Sequence, residues 1–227
     1  TREKRDLLST TQKRLTAADN DYEQAQINAD KKQKIVIYKV DLPKSSLAKR
    51  AEKYVGYAQK ESEIRHIPAA LVMAIMHSES AFDPYAVSSV PAYGLMQIVP
   101  RTAGHDVNRL ERNIDRPMTK KDLFIPAINV ETGTAYLNIL DKRYLKAITD
   151  DQSRLYCTIA AYNTGAGNVA RVFNQNGSRN INKAAKEINR LSPEQVYQRL
   201  LIQLPYDETK HYLKRVNKRI ALYESKV

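Results

Sequence analysis

A single stretch, residues 68–80 (Pro-Ala-Ala-Leu-Val-Met-Ala-Ile-Met-His-Ser-Glu-Ser), sets the strongest limit on what this chain can fold into. It is the most apolar helix-forming segment of the sequence, so it belongs in a core, and it closes on an acid. At helical spacing Glu79 shares a face with Val72, Ile75 and Met76, so its carboxyl is expected to leave the core from an apolar wall. Such a wall penalises the charged form and raises the carboxyl pKa. A glutamate that stays protonated near neutrality is what a general acid requires.

The remainder of the chain reads as all-α. Glycine is scarce, with 7 in 227 residues, and long segments rich in Ala, Leu, Lys, Arg, Glu and Gln run without breakers. Ser45 and Ser46 cap a helix carrying Leu47, Ala51, Tyr54, Val55 and Ala58, which is expected to run to Arg65 or His66. Pro68 suits the first turn of the next helix, where its missing N–H removes no bond. Asp83-Pro84 then turns the chain, Gly94 opens a short helix over 95–97, and residues 108–121 read as a polar loop. Further helices are expected over 128–147, 154–163, 169–174, 181–191, 193–204 and 207–224, with Gly165 closing the second and Ser192-Pro193 opening the fifth. Residues 1–33 are polar and read as one or two solvated helices, and the β-branched stretch 35–43 reads as a short extended strand ended by Pro43. The expected division is an N-terminal segment, 1–44, as the remnant of an upstream domain, followed by one domain over 45–227.

Net charge is +12, from 37 Lys+Arg against 25 Asp+Glu, and residues 1–45 hold only 10 of the basic and 7 of the acidic residues. The excess therefore sits mainly on the larger domain and predicts attraction to a polyanion: nucleic acid, an anionic membrane surface, or a cell wall bearing carboxylates. Composition alone leaves these open. The lone Cys157 forbids an internal disulfide and lies in the apolar run 155–160, as a core residue does. No run of about 18 apolar residues is present. Thr1-Arg2-Glu3-Lys4 does not begin a signal peptide, so an exported protein would be seen here in mature or truncated form. His66, His77, His105 and His211 make no metal-ligand pattern and there is no phosphate loop or dinucleotide fingerprint, so neither metal nor cofactor is expected.

Three separated motifs add a resemblance. Glu79-Ser80-x-Phe82-x-Pro84-x-Ala86-x-Ser88, then Gly94-Leu95-Met96-Gln97, then Ala161-Tyr162-Asn163-x-Gly165 resemble, in order, the signature of lytic transglycosylases of glycoside hydrolase family 23, the lysozyme-like enzymes that cleave bacterial peptidoglycan. The segments 122–137 and 167–173 are most similar to a membrane-bound branch of that family, and the resemblance covers residues 46–223. It implies a lysozyme-like, goose-type helical domain and a monomer whose partner is the peptidoglycan glycan strand, not nucleic acid. It further implies end-wise cleavage and a periplasmic setting in a Gram-negative bacterium, with outer-membrane association through a lipid anchor on a removed N-terminal region.

Glycosidases ordinarily use two carboxylates, one of them a general acid. Only Glu79 has the placement here, since Asp83 is committed to the turn before Pro84 and Asp106 has no evident partner. A one-carboxylate site is also what the resemblance implies: Glu79 protonates the bridging oxygen between N-acetylmuramic acid and N-acetylglucosamine, the substrate's own N-acetyl oxygen stabilises the cation, and Glu79 then acts as base on the C6 hydroxyl to close a 1,6-anhydro ring. The same resemblance makes Ser88 and Gln97 polar contacts to the sugar, places Tyr162 beside the scissile bond and brings the late Tyr212 into the cleft; Met96 is expected at the cleft, packing beneath it rather than touching sugar, and Asn163 either contacts substrate or closes its helix near Gly165. Without tryptophan, sugar stacking falls to tyrosines and Phe82. Two departures stand out. Leu201-Ile202-Gln203-Leu204-Pro205 lacks the acid many soluble relatives carry before that proline, and Val90-Pro91-Ala92-Tyr93 replaces small, glycine-containing residues, which puts Tyr93 in position to narrow or stack in a subsite. A lysozyme-type hydrolase and a non-catalytic wall-binding module are the competing readings.

Overall fold

Burial of the segment that ends at Glu79 organises the molecule. The computed structural model describes the backbone from residue 44 and side chains from residue 47, through to residue 227, so the expectations for residues 1–43 lie outside the described residues. α1 (Lys44–Glu52) and α2 (Val55–Arg65) precede α3 (Ala69–Glu79). Where the sequence predicts one helix over 46–65 there are two. The chain breaks at Lys53-Tyr54, whose amides bond back to Arg50 and Ala51 at 3.3 and 2.9 Å, and the Tyr54 ring is thereby turned inward against Phe82, 6.3 Å between centroids.

α3 has no polar side over most of its length: Ala70 through Met76 are all buried. Pro68 stands just before the helix, its carbonyl receiving the Leu71 and Val72 amides at 2.9 and 3.2 Å. α2 packs on one side of α3, and α11 (Asp207–Tyr223) packs along it most extensively of all. Between them the core is closed by α7 (Asp151–Thr164), α8 (Ala166–Phe173), α9 (Ile181–Ile188) and α10 (Pro193–Gln203). The Ser192 cap stands where the sequence puts it, whereas α7 begins at Asp151, three residues before the expected 154. Asp150 accepts from the Ser153 amide at 2.7 Å, and Ser192 and Gln195 form a reciprocal capping box. Cys157 is fully buried.

The middle of the chain departs from the sequence reading. The segment 103–111 is a helix, α4 (Ala103–Glu111), where the polar loop was expected from 108. Its apolar side is mostly small, with Ala103, Gly104 and Val107 buried, so its period is faint beneath the charged residues around it. α5 (Lys120–Leu123) is a single turn capped by Thr119. α6 (Pro126–Asn138) then passes into a π-helical turn, Ile139–Tyr144, where the expectation was a uniform helix over 128–147. The Leu145 amide reaches the Leu140 carbonyl at 2.8 Å, a five-residue step that keeps Leu140 and Leu145 both buried. No strand is present among the described residues. Isolated antiparallel bridges pair Val87 with Tyr93 and Tyr93 with Ile98, making a small hairpin-like loop after α3.

Candidate active site

Where α3 stops determines where Glu79 points. The Ser80 amide closes on the Met76 carbonyl at 3.1 Å, and the Ser80 hydroxyl donates to the Leu95 carbonyl at 2.8 Å, tying the helix end to the loop. Ala81 and Phe82 then both take left-handed backbone, with φ of 49° and 63°. Non-glycine residues adopt that conformation only at a cost, which here is offset by burying the Phe82 ring against Tyr54, His77 and Tyr223. Phe82 is therefore a core anchor and not a sugar-stacking residue, which corrects the expectation drawn from its motif. α11 clamps the same helix end from outside. Arg219 donates to the Ser78 hydroxyl at 2.9 Å, and the Tyr223 hydroxyl lies 2.9 Å from His77 Nδ1.

Glu79 lines a cavity of about 460 Å³ together with Ser88, Val90, Ala92, Gln97 and Val99 from the loop, Tyr162, Asn163, Thr164 and Asn168 from α7 and α8, and Tyr206, Glu208 and Thr209 from α11 and the residue before it. A second hollow of about 250 Å³ adjoins it, sharing Gln97, Val99, Tyr162, Asn163 and Thr164 and adding Thr102 and Tyr136. Burial pushes the Glu79 carboxyl up to about 7. The Tyr212 hydroxyl opposes that rise, the like charge of Glu208 adds to it, and Arg215 slightly relieves it. Tyr212 is itself buried, and among the described residues its hydroxyl has no partner in full hydrogen-bond geometry. It reaches Glu79 through a looser contact, one that favours the ionised carboxylate without fixing it.

Each remaining expected residue has a definite place. The loop 94–97 is a turn and not the expected short helix: Gly94 has φ 77° and Gln97 φ 47°. Asn129, fully buried on α6, holds that turn, accepting from the Met96 amide and donating to the Tyr93 and Leu123 carbonyls, all at 2.8 Å. Met96 packs wholly beneath the cavity against Gly133, so its side chain does not face the groove. Its carbonyl accepts the Tyr162 hydroxyl at 2.9 Å, so Tyr162 braces the turn while its ring lines both hollows. Gln97 gives its amide hydrogens to the Ala86 and Gly94 carbonyls at 3.1 and 2.9 Å, leaving its oxygen to the groove. Asn163 is the converse. Its oxygen accepts from Thr209 at 2.7 Å, which leaves its N–H groups. Ser88 lines the cavity and also staples its own loop, bonding the Val90 carbonyl and accepting from the Ala92 amide. Tyr93 is not among the lining residues, since its ring stands edge-on to Phe124 at 5.6 Å.

Sequence reasoning missed Glu208, Thr209, Tyr206 and Asn168, although Asn168 lies inside the segment 167–173 singled out for the resemblance and Glu208-Thr209 stand one turn before Tyr212. Finding Glu208 on the cavity corrects the statement that only Glu79 has the placement.

Fold and site together define a lysozyme-like helical protein with a shielded glutamate in a polar groove. The chain belongs to the Transglycosylase SLT domain family, whose model matches residues 56–185. It is 45% identical over 178 residues to membrane-bound lytic murein transglycosylase C of Sodalis glossinidius, covering 78% of this chain and 48% of that protein. Against the protein of the same description from Salmonella paratyphi B it is 45% identical over 184 residues, 80% of this chain and 50% of the relative. The chain thus spans about half the length of the curated relatives it matches. Among solved structures, the Escherichia coli 70-kDa soluble lytic transglycosylase superposes with a TM-score of 0.56 at 26% identity, over 76% of this chain and 24% of that one. An inactive glutamate-to-glutamine mutant of the Pseudomonas aeruginosa lytic transglycosylase Slt gives 0.56 at 25% identity, over 75% and 24%.

Proposed function

We propose that this chain is the catalytic part of a peptidoglycan lytic transglycosylase that cuts the β-1,4 bond between N-acetylmuramic acid and N-acetylglucosamine and leaves a 1,6-anhydro end. The observation that carries the reading is Glu79: a carboxyl held up to about 7 by burial, opening onto a cavity large enough for a short piece of glycan. Protonated Glu79 gives its proton to the bridging oxygen as the C1–O bond breaks. The muramoyl N-acetyl oxygen supports the cation at C1. The Glu79 carboxylate then takes the C6 hydroxyl proton as O6 bonds to C1, which restores the acid and consumes no water. A tethered hydroxyl attacks at high effective molarity, so the closure needs no second carboxylate.

The groove's polar groups favour this substrate. Gln97 has an acceptor to offer and Asn163 a donor, the complement of an acetamido N–H and C=O. We assign Ser88 to a sugar hydroxyl, Tyr162 and Tyr212 to the surroundings of the scissile bond, and Met96 to support beneath it. The relatives' description as membrane-bound lytic murein transglycosylase C supports a Gram-negative envelope setting, and end-wise attack is part of the proposal.

One observation favours a second reading. Glu208 shares the cavity, and a paired carboxylate activating water would make the protein a hydrolase. Mass analysis of muropeptides released from purified sacculi separates the two. Products lighter by one water support the transglycosylase, reducing hydrolysed ends support the hydrolase, and no release at all would sink both.

A further inference from the structure

The loop that walls the Glu79 cavity has a second face. Ser88, Val90 and Ala92 line the cavity, whereas the alternate residues Val87 and Tyr93, paired across an antiparallel bridge, do not. Alternation of side chains across an extended pair places the two sets on opposite sides. On the outer side Tyr93 meets Phe124 edge-on at 5.6 Å, Tyr85 tilts against Phe124 at 5.9 Å, and the Lys120 ammonium stands 5.5 Å from both the Tyr93 and Phe124 ring centroids. This patch is open to solvent: Tyr85 is 72% exposed, Val87 54% and Ile125 43%. Exposed apolar surface gathered in one place, as these rings are, is a candidate interaction site.

We propose that this outer face docks peptidoglycan glycan that is not being cut, holding a strand of the wall on the far side of the loop from the cleavage cavity. The proposal rests on the functional reading above and goes beyond it. Tyrosine and phenylalanine faces suit the C–H faces of pyranose rings, and tyrosine keeps a hydroxyl for their edges. Charge argues against a polyanion here, because Lys120 and Lys121 are followed directly by Asp122, and Asp83 lies beside Tyr85, from whose amide it accepts at 2.9 Å, unlike the basic rim an anionic membrane would need. The cavity itself, at about 460 Å³, takes only a fragment of a polymer. An insoluble substrate therefore leaves most of its length to contact surface beside the cut, and this surface shares its backbone with the cavity wall.

The test uses Glu79→Gln protein, which would bind strands without cutting them, co-sedimented with purified sacculi with and without Tyr85→Ala. Loss of the ring is expected to weaken retention roughly three- to tenfold, the worth of one aromatic contact. Tyr85→Phe should retain it, and Tyr85→Ala in the otherwise wild-type chain should turn over short soluble muropeptides as before. Unchanged retention in the alanine variant overturns the proposal. So does an equal loss on soluble fragments, which would make the patch part of the cavity, or a change confined to vesicle binding or to oligomeric state. Failure of the Tyr85-containing protein to bind sacculi at all would instead strike at the functional reading.

Discussion

Tyr212 and Glu79 meet where α11 crosses the end of α3, and they pull the same proton in opposite directions. The apolar surroundings keep the carboxyl protonated, whereas the hydroxyl favours its ionised form. If the protonated acid starts the reaction, kcat/KM should fall as pH rises through about 7. Tyr212→Phe removes the group that favours the charge and should move that limb to higher pH. Glu208→Gln removes a like charge and should move it lower. Opposite displacements in the two pH–rate profiles are the expected outcome; a common shift would mean that neither residue acts through Glu79.

Glu79 should weaken the fold that carries it. Its pKa is about 7 when folded against an ordinary value of 4.5, so between those values the unfolded chain ionises while the folded one holds its proton. Stability is then lost as pH rises through that window, by about 3 kcal/mol once past it. Glu79→Gln should accordingly be more stable than wild type at pH 8 and equal to it at pH 4, as read from denaturant midpoints. His77 works the other way. Burial and the charges of Arg219 and Arg50 hold it down to about 4, so it costs stability as pH falls below 6.5. The two slopes oppose each other where they overlap, and Glu79→Gln should expose the histidine's slope in a chain that is otherwise nearly flat there.

Asn129 supports the turn without touching the cavity. Asn129→Leu leaves the Met96 amide and the Leu123 carbonyl without partners and takes one of two donors from the Tyr93 carbonyl, which keeps the Ile98 amide at 3.1 Å, and should cost about 3 kcal/mol. Gly94→Ala should be similarly costly, because its φ of 77° disfavours a side chain and the added carbon would overlap Asn129 and the Leu123 carbonyl. Thermal unfolding checks both.

Gly133 makes room for Met96. Adding a methyl group at Gly133 would drive into the methionine side chain, so Gly133→Ala should destabilise by about 1–3 kcal/mol. Met96→Ala should partly rescue it, giving a favourable coupling of about 1 kcal/mol in a double-mutant cycle. Additive losses would mean that the two side chains do not compete for the same space.

Much of this site is legible in the sequence because its physics is local. An unbroken apolar helix ending in an acid announces both burial and a displaced pKa, and caps such as Ser192 announce themselves by spacing. Phe82 is core, and the sequence hides this because its role depends on two left-handed residues that no side-chain pattern signals: an aromatic ring in a sugar-binding motif reads as available. The turn at 94–97 reads as a helix for a related reason: apolar residues at short spacing fit both, and the deciding partner, Asn129, is 33 residues away from Met96. Glu208 escaped notice because an acid in the first turn of an exposed helix is ordinary by every local measure. Only the crossing of α11 over α3 brings it to the cavity.

The double left-handed step after Glu79 also makes the position of the acid a matter of counting. A helix advances about 100° per residue, so lengthening or shortening α3 by one would swing the carboxyl toward the core or toward bulk water while every neighbouring residue stayed the same. Insertions and deletions between Ala69 and Ser80 should therefore be far less tolerated than point substitutions there, even those that alter volume, because the register of that one rod decides what its last side chain faces.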